Sequence, residues 1–449
     1  MGNYNLKQGY DIRLVGAPST TVAEATPVEV AVDGREFPGL RFKMLVKEGD
    51  KVKAGTPLFQ EKEHADYCFT SPVSGTVKEV RRGDKRVLQE VVITSDGKNE
   101  SVEFPRSGSG DILSLPREKV LALIGRSGLL ATLRQRPYGL APSYQVVPRD
   151  IFVTAINSAP LAPSVELQLK GHEAAFQAGL NALSRVTSGK VHLSIGEAAA
   201  SDALSKAANV VVHRFSGAHP VGNPGIQIHQ IARIRKGDTV WTADVSSVIA
   251  IGRLFLEGRV SIQKIISLAG EGLTEALHLR TLPGARLDGL LGSRLKQGEF
   301  RIISGDVLSG SKREATQFLG FHDQQVTVIP EVTSMEFVGW MKPGFGRESF
   351  SRTFFSWLTP SSRHSHHTGY HGGVRALVQT GLYESVLPMD LYPVHLLKGI
   401  LAQDVEALEG LGILEVIPED LALCDFVCVS KFEASDVLRE GIEFYRKQG

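Results

Sequence analysis

The chain has 449 residues, 42% of them hydrophobic, and 50 Lys and Arg against 49 Asp and Glu leave a formal charge of +1. That length supports roughly three or four domains with cores of their own, and the balanced charge excludes the basic footprint of a nucleic-acid binder. Three cysteines, Cys68, Cys424 and Cys428, are too few for a disulfide framework and point to a reducing, cytoplasmic setting.

The opening MGNYNLKQGYDIRLVGAP lacks the apolar core of a secretory signal. No run reaches the ~18 apolar residues that span a bilayer. The best candidate, VSSVIAIGRLFLEG, is interrupted by Arg253, so any membrane role is expected through partners. Residues 1–33 read as an N-terminal arm ending in the strand-like VEVAV. Short alternating strands that turn at Gly or Asp then run through 34–102. Within them, GDKVKAGTPL and SPVSGTV resemble the two halves of a biotinyl/lipoyl-type barrel. Where that family carries its modified lysine, this chain has His64, so a scaffold without a carrier arm is expected.

From 103 to 256 the period changes. DIFVTAIN, VHLSIG and VVVHRF are strand-like, EAAFQAGLNALSRVTSG has helical spacing, and the alternation predicts a Rossmann-like parallel α/β layer. Residues 257–329 read as a small unit of strands around one helix, which a β-grasp fits. Residues 330–449 are expected to be mainly helical, with Leu397, Ile400, Leu401, Val405 and Leu408 near one face.

The chemistry-bearing motifs are sparse. GRSGLLATLRQRPYG, 125–139, lies where a glycine-rich loop would meet phosphate, but Leu129, Leu130 and Ala131 follow its glycines with apolar bulk. Arg134, Arg136 and Tyr138 come next, around Pro137. With Leu130 as an apolar wall they could grip a quinone-like ring through a carbonyl, or form an ordinary solvated loop. SAPLAPS, after the first parallel strand, has no acid to hold a ribose. His219 and His229 stand ten residues apart without a carboxylate or thiolate between them, and a rigid turn is the plainer reading. His364, His366, His367 and His371 are dense enough to chelate a metal, with a surface loop as the alternative. Cys424 and Cys428 are too few for an iron–sulfur cluster of this chain's own.

Several long segments in one order, among them MLVKEGDKVKAGTPLFQEK, FTSPVSGTVKEV, SGLLATLRQRP, IFVTAINSAPLA, VWTADVSSVIAIGRLFLEG, RIISGDVLSG and EDLALCDFVC, closely resemble the A subunit of the bacterial Na+-translocating NADH:quinone oxidoreductases over essentially the full chain. A more distant likeness runs to the NADH-binding subunit of complex I and the C subunit of Rnf complexes. The resemblance implies four domains: a biotinyl/lipoyl-like barrel, a Rossmann-like domain, an SLBB-like β-grasp and a C-terminal helical domain. It also implies an accessory subunit on the cytoplasmic face of the membrane, docked on the membrane-embedded B subunit, in a complex that couples NADH oxidation and quinone reduction to Na+ export. No catalytic residue, metal or redox cofactor is expected in this chain, with FAD, FMN and iron–sulfur centres in partner subunits. The family's quinone assignment carries over to the segment Leu130, Arg134, Arg136, Pro137 and Tyr138. The chain departs from the usual CPGK with CVSK at 428–431, and its histidine-rich loop has no counterpart in the family pattern. The competing expectations are a stand-alone ligand-binding protein and an Rnf-type carrier, the latter needing cluster motifs that three cysteines do not supply.

Overall fold

The computed structural model describes residues 2–332 and 339–448. Early in the chain two small sheets face each other, one of Glu29–Asp33, Leu88–Ser95, Gly75–Arg82 and Lys51–Val52, the other of Phe42–Met44, Pro57–Glu61 and Cys68–Thr70. Period-2 alternation turns Val30, Val32, Val77, Val91 and Ile93 of the first against Leu58, Phe59 and Phe69 of the second. The turn carrying His64 is not a free tip. The His64 ring stacks on Tyr144 with centroids 5.4 Å apart, and Asp66 pairs with Arg126 at 2.7 Å. The barrel is therefore fastened to the next unit at the place where a carrier would swing.

A six-stranded sheet follows, in the spatial order Gly2–Asn5, Val211–Ser216, Val191–Gly196, Ile151–Ala155, Val240–Asp244, Arg134–Arg136. All of its pairings are parallel except the last, where Arg134–Arg136 runs antiparallel to Val240–Asp244. Parallel strands are covered on both faces, and alternate residues here feed two cores. Ile151, Val153, Ala155, Trp241 and Ala243 pack with helices Glu173–Val186 and Val245–Glu257, while Phe152 and Val240 face helix Pro224–Ile231 and the C-terminal helices.

A second six-stranded sheet runs Ser311–Arg313, Phe300–Ser304, Gln325–Pro330, Lys264–Ala269, Leu277–Thr281, Val22–Glu24, with the short helix Leu287–Leu291 over its core. The reading of residues 1–33 as an arm needs correction. Gly2–Asn5, Val22–Glu24 and Glu29–Asp33 each complete the edge of a different sheet, so this stretch ties three units together. The first two, of four and three residues, are too short to show a period in a sequence window.

The helical reading of 330–449 also changes. Between 339 and 381 the described helices are the short 3-10 turns Gly339–Met341 and Phe355–Leu358, because Gly and Pro recur too often for a helix to propagate. The helices begin at Leu382. The expected single face from Leu397 to Leu408 is broken: helix Pro393–Ala402 ends with Gln403 at φ 55, and Asp404 caps a new helix, Val405–Gly410. Leu401 lies exposed at the break.

Candidate functional site

In the parallel sheet the chain leaves Ile151–Ala155 toward Val191–Gly196 on one side and reaches Val240–Asp244 on the other. Where strand order reverses in this way, a crevice opens beyond the carboxyl ends of the strands. Here it widens into a cleft of about 1350 Å³. Thr154 and Asn157 line it from one strand end and Asp244 from its neighbour. The barrel adds Glu36, the second sheet Asp323 and the C-terminal helices Glu419. At this size it is an open meeting of units, larger than a closed pocket for one small molecule.

Of the five residues singled out in the 130–138 segment, Arg134, Arg136 and Tyr138 line the cleft. Leu130 does not form its wall: the 3-10 turn Leu129–Thr132 carries Leu129, Leu130 and Ala131 into the core, and Leu130 is fully buried. Pro137 follows a cis peptide bond and is not part of the lining. The glycines before this turn serve packing. A Cβ at Gly125 would stand 2.3 Å from the Asp66 carbonyl oxygen, and Gly128, at φ 82, abuts Thr70.

Arg136 is the main departure from expectation. Its guanidinium is buried, donating to Asp420 Oδ2 at 2.7 Å and Glu419 Oε1 at 2.9 Å. It is engaged inside the protein and does not present donors to a ligand carbonyl. Burial opposes its charge, but Asp420 and Glu419 outweigh that and hold it protonated. Burial raises the Asp420 carboxyl, while the guanidinium and the Ile417 N–H at 2.9 Å favour its ionised form. Arg134, two residues earlier on the same face of the short strand, reaches Glu419 at 3.4 Å and keeps over a third of its side chain exposed. Tyr138, at φ 80, is half-buried with the Arg446 guanidinium 5.7 Å over its ring.

The facing wall holds residues that the sequence reading did not select. Glu36 Oε2 accepts the Phe321 N–H at 2.6 Å, and burial, with Asp323 nearby, pushes its carboxyl up to about 7. Behind this wall and outside the lining itself, Lys264 is buried and donates to the Phe321 carbonyl at 2.9 Å, and burial lowers its pKa. Burial, then Arg134 and Lys264, holds His322 well below the ordinary histidine range. Asp244 caps helix Val245–Glu257 through the Ser247 N–H at 2.7 Å and accepts from Gln324. Gln324 in turn accepts from Asn157 at 3.1 Å. The available signals were a lysine heading the mostly apolar KIISLA and the polar run HDQQ leading into a buried strand. SAPLAPS carries no acid, yet the neighbouring strand end supplies Asp244 and the loop before Gln325–Pro330 supplies Asp323 to the same crevice.

Of the candidate histidines, His367 and His371 meet each other with ring centroids 4.9 Å apart and both line the cleft, while the others have different partners. His219 meets Ser158 Oγ at 3.0 Å, while His229 meets Glu415 at 2.7 Å and accepts the Asp390 N–H at 2.9 Å. His364 is buried against residues 13–15, and His366 pairs with Glu348 at 3.1 Å. Among the described residues no group of three or more His, Cys, Asp or Glu is arranged to hold a metal ion. Cys424 and Cys428 are buried thiols. Among the described residues no helix is long and apolar enough to cross a membrane.

Three family models match the chain. They are described as the NqrA N-terminal barrel-sandwich hybrid domain over residues 4–96, the NqrA second alpha/beta domain over 115–260 and the NQRA C-terminal domain over 265–315. The chain is 39% identical over 448 residues to the A subunit of the Na(+)-translocating NADH-quinone reductase of Yersinia pseudotuberculosis serotype O:1b, covering 99% of each. Against its counterpart in Tolumonas auensis it is 42% identical over 437 residues, with 97% of each chain covered. For Neisseria meningitidis serogroup B the figures are 38% over 447 residues and 99% of each. Among solved structures, an NAD+-reducing NiFe hydrogenase in its air-oxidized state overlaps 78% of this chain and 67% of its own, at 13% identity and a TM-score of 0.37. In its H2-reduced state the overlap is 76% and 64%, at 14% and 0.38.

Proposed function

The chain belongs to the NqrA family, the A subunits of Na(+)-translocating NADH-quinone reductases, and is one component of that oxidoreductase complex; from this premise we propose how it serves the complex. It is a peripheral subunit on the cytoplasmic face of the membrane, docked on the membrane-embedded B subunit. It holds no redox group of its own, and FAD, FMN and iron–sulfur centres reside in the partner subunits. Its units are a barrel-sandwich domain, a Rossmann-like α/β domain, an SLBB-type β-grasp and a helical unit beginning at Leu382. Quinone reaches the chain at the cleft, where Arg134 and Tyr138 face a ring with carbonyl oxygens and Arg136 holds the segment in place.

The observation that carries this reading is the switch-point cleft, with a cation and an aromatic ring on one wall. The loop position where a glycine-rich turn would meet phosphate is filled by the buried side chains of Leu129, Leu130 and Ala131. A phosphate would need backbone amides exposed there; this turn faces the core instead. A quinone requires less: apolar surface along the ring and one or two donors at its carbonyls.

The reading is tested by irradiating the assembled complex with a photoreactive short-chain quinone and mapping the labelled peptides. Label on residues 132–141 of this chain, competed by unlabelled quinone, is the expected result. Competable label confined to other subunits would remove quinone contact from this chain.

A further inference from the structure

Residues 320–324 lie between the strands Ser311–Arg313 and Gln325–Pro330 and belong to neither, yet His322, Asp323 and Gln324 line the cleft. A loop outside the strand ladders takes its position from the groups that satisfy its backbone and side chains. Here three units of the molecule meet it in succession. The Phe321 N–H goes to Glu36 Oε2 of the barrel at 2.6 Å, and the Phe321 carbonyl accepts from Lys264 Nζ, on the strand Lys264–Ala269, at 2.9 Å. Asp323 accepts from Ser304 Oγ at 2.5 Å. Gln324 Oε1 accepts from Asn157 at 3.1 Å and Gln168 at 3.3 Å, both in the Rossmann-like unit, and its amide donates to Asp244. One residue behind the wall, Phe321, is thus gripped at both its backbone polar groups by ionisable side chains from two units.

The barrel side of this grip is fixed by packing. Glu36 closes the 3-10 turn Gly34–Glu36, and the next residue, Phe37, is buried with its ring 5.4 Å from that of Phe321 and 6.3 Å from that of His322. The charges facing Glu36 come from both sides. On its own turn stand Asp33 and Arg35, and Arg35 is taken by Asp33 at 2.7 Å and by Glu90 of the barrel at 2.5 Å. From the second sheet come Asp323, Arg313 and Lys264, with Arg313 3.7 Å from Glu36 Oε1 and Lys264 committed to the Phe321 carbonyl. Burial, Asp323 and Asp33 oppose a negative charge on Glu36 and outweigh the Phe321 N–H and Arg313, so its carboxyl is raised to about 7. The place suits a neutral acid better than a carboxylate.

We propose that Glu36 is a positioning residue for the cleft: as a neutral acid it holds the 320–324 wall in its ligand-binding position, and as a carboxylate it lets that wall go, so that ligand binding follows the Glu36 proton. Ionised beside Asp323 in a poorly hydrated place, the side chain gains more by turning to water than by one backbone N–H. Phe321 then keeps only the Lys264 side of its grip, and His322, Asp323 and Gln324 shift with it. This inference rests on the quinone reading of the cleft and adds its regulation by pH.

The test is a calorimetric titration of the purified full chain with a short-chain oxidised quinone at pH 6 and pH 8, beside hydrogen exchange of peptides covering 318–325 corrected for the intrinsic rate at each pH. Wild type is compared with Glu36→Gln and Glu36→Ala. An oxidised quinone has no group that titrates in this interval, so any pH dependence belongs to the protein. With the carboxyl titrating at about 7, its neutral fraction falls from about 0.9 to about 0.1, and wild-type affinity is expected to fall about tenfold, with protection at 318–325 falling alongside. Glu36→Gln carries no charge and its amide oxygen still accepts the Phe321 N–H, so it should bind at pH 8 as tightly as wild type does at pH 6. Glu36→Ala should bind weakly at both. Equal wild-type affinity at the two pH values, or a fall that persists in Glu36→Gln, would overturn the proposal while leaving the cleft as the quinone site. Exchange at 318–325 that ignores both pH and the substitutions would also overturn it. Wild-type chain that binds no quinone at either pH, with exchange that still follows Glu36, would reject quinone as the ligand and sustain Glu36 as the residue that positions the wall.

Discussion

The cleft wall at Arg136 and the turn-rich unit at 339–358 are both built from arginine and aromatic side chains, and they dispose of charge in opposite ways. At Arg136 the guanidinium is buried and met by two carboxylates within 2.9 Å. At Arg352 the guanidinium is exposed and lies 5.4 Å over the exposed Trp357 ring. A buried charge without its partner is far costlier than an exposed one. The first region is thus constrained by folding, whereas the second can be shaped by what it touches.

The contrast breaks most sharply at the buried pair. Arg136→Ala leaves Glu419 and Asp420 without their guanidinium and is expected to destabilise the chain by about 3–5 kcal/mol, read from a denaturant midpoint. A loss under about 1 kcal/mol would mean that the ion cluster is not what holds this wall. Next in size is Gly225→Ala. Its Cβ would stand 2.5 Å from both Asp420 carboxylate oxygens, so overpacking of about 1–3 kcal/mol is expected in the same assay. Equal stability would show that Asp420 can shift aside.

On the facing wall, Glu36 supplies a pH test. Its carboxyl is raised from 4.5 to about 7, so between those values the folded chain binds more protons than the unfolded chain. The stability it contributes is present below about 4.5 and lost as pH rises through about 7. Asp425, raised from 3.8 to about 6, acts with the same sign. Glu36→Gln should flatten the fall in melting temperature between pH 5 and 7, and an unchanged slope would reject the assignment to Glu36. The smallest stability effect belongs to the exposed side. Phe345→Ser and Phe355→Ser should each change stability by less than about 0.5 kcal/mol. A large loss of stability there would erase the distinction between the two regions.

Much of this architecture is legible in the sequence because local period carries it. The alternating strands of Gly75–Arg82 and Leu88–Ser95, the apolar runs at Ile151–Ala155 and Val240–Asp244 and the helical spacing of Glu173–Val186 each announce their type. The edge strands Gly2–Asn5 and Val22–Glu24 did not, since their pairing depends on partners about 210 and 255 residues away. The site divides in the same way. Arg134 and Tyr138 attract notice as a cation and a ring in one short segment, but nothing local to Arg136 announces Glu419 and Asp420, which arrive from a helix far along the chain. Glu36, Lys264 and His322 gain their significance from burial, which one sequence does not display.

The most direct test of the central claim is a calorimetric titration of the purified chain with a short-chain quinone, comparing wild type with Arg134→Ala and Tyr138→Phe. The cleft reading predicts one saturable site, about tenfold weaker once a donor to the ring is lost, with the melting temperature of each variant unchanged. Absence of saturable binding by the wild type, or full affinity in both variants, would contradict it.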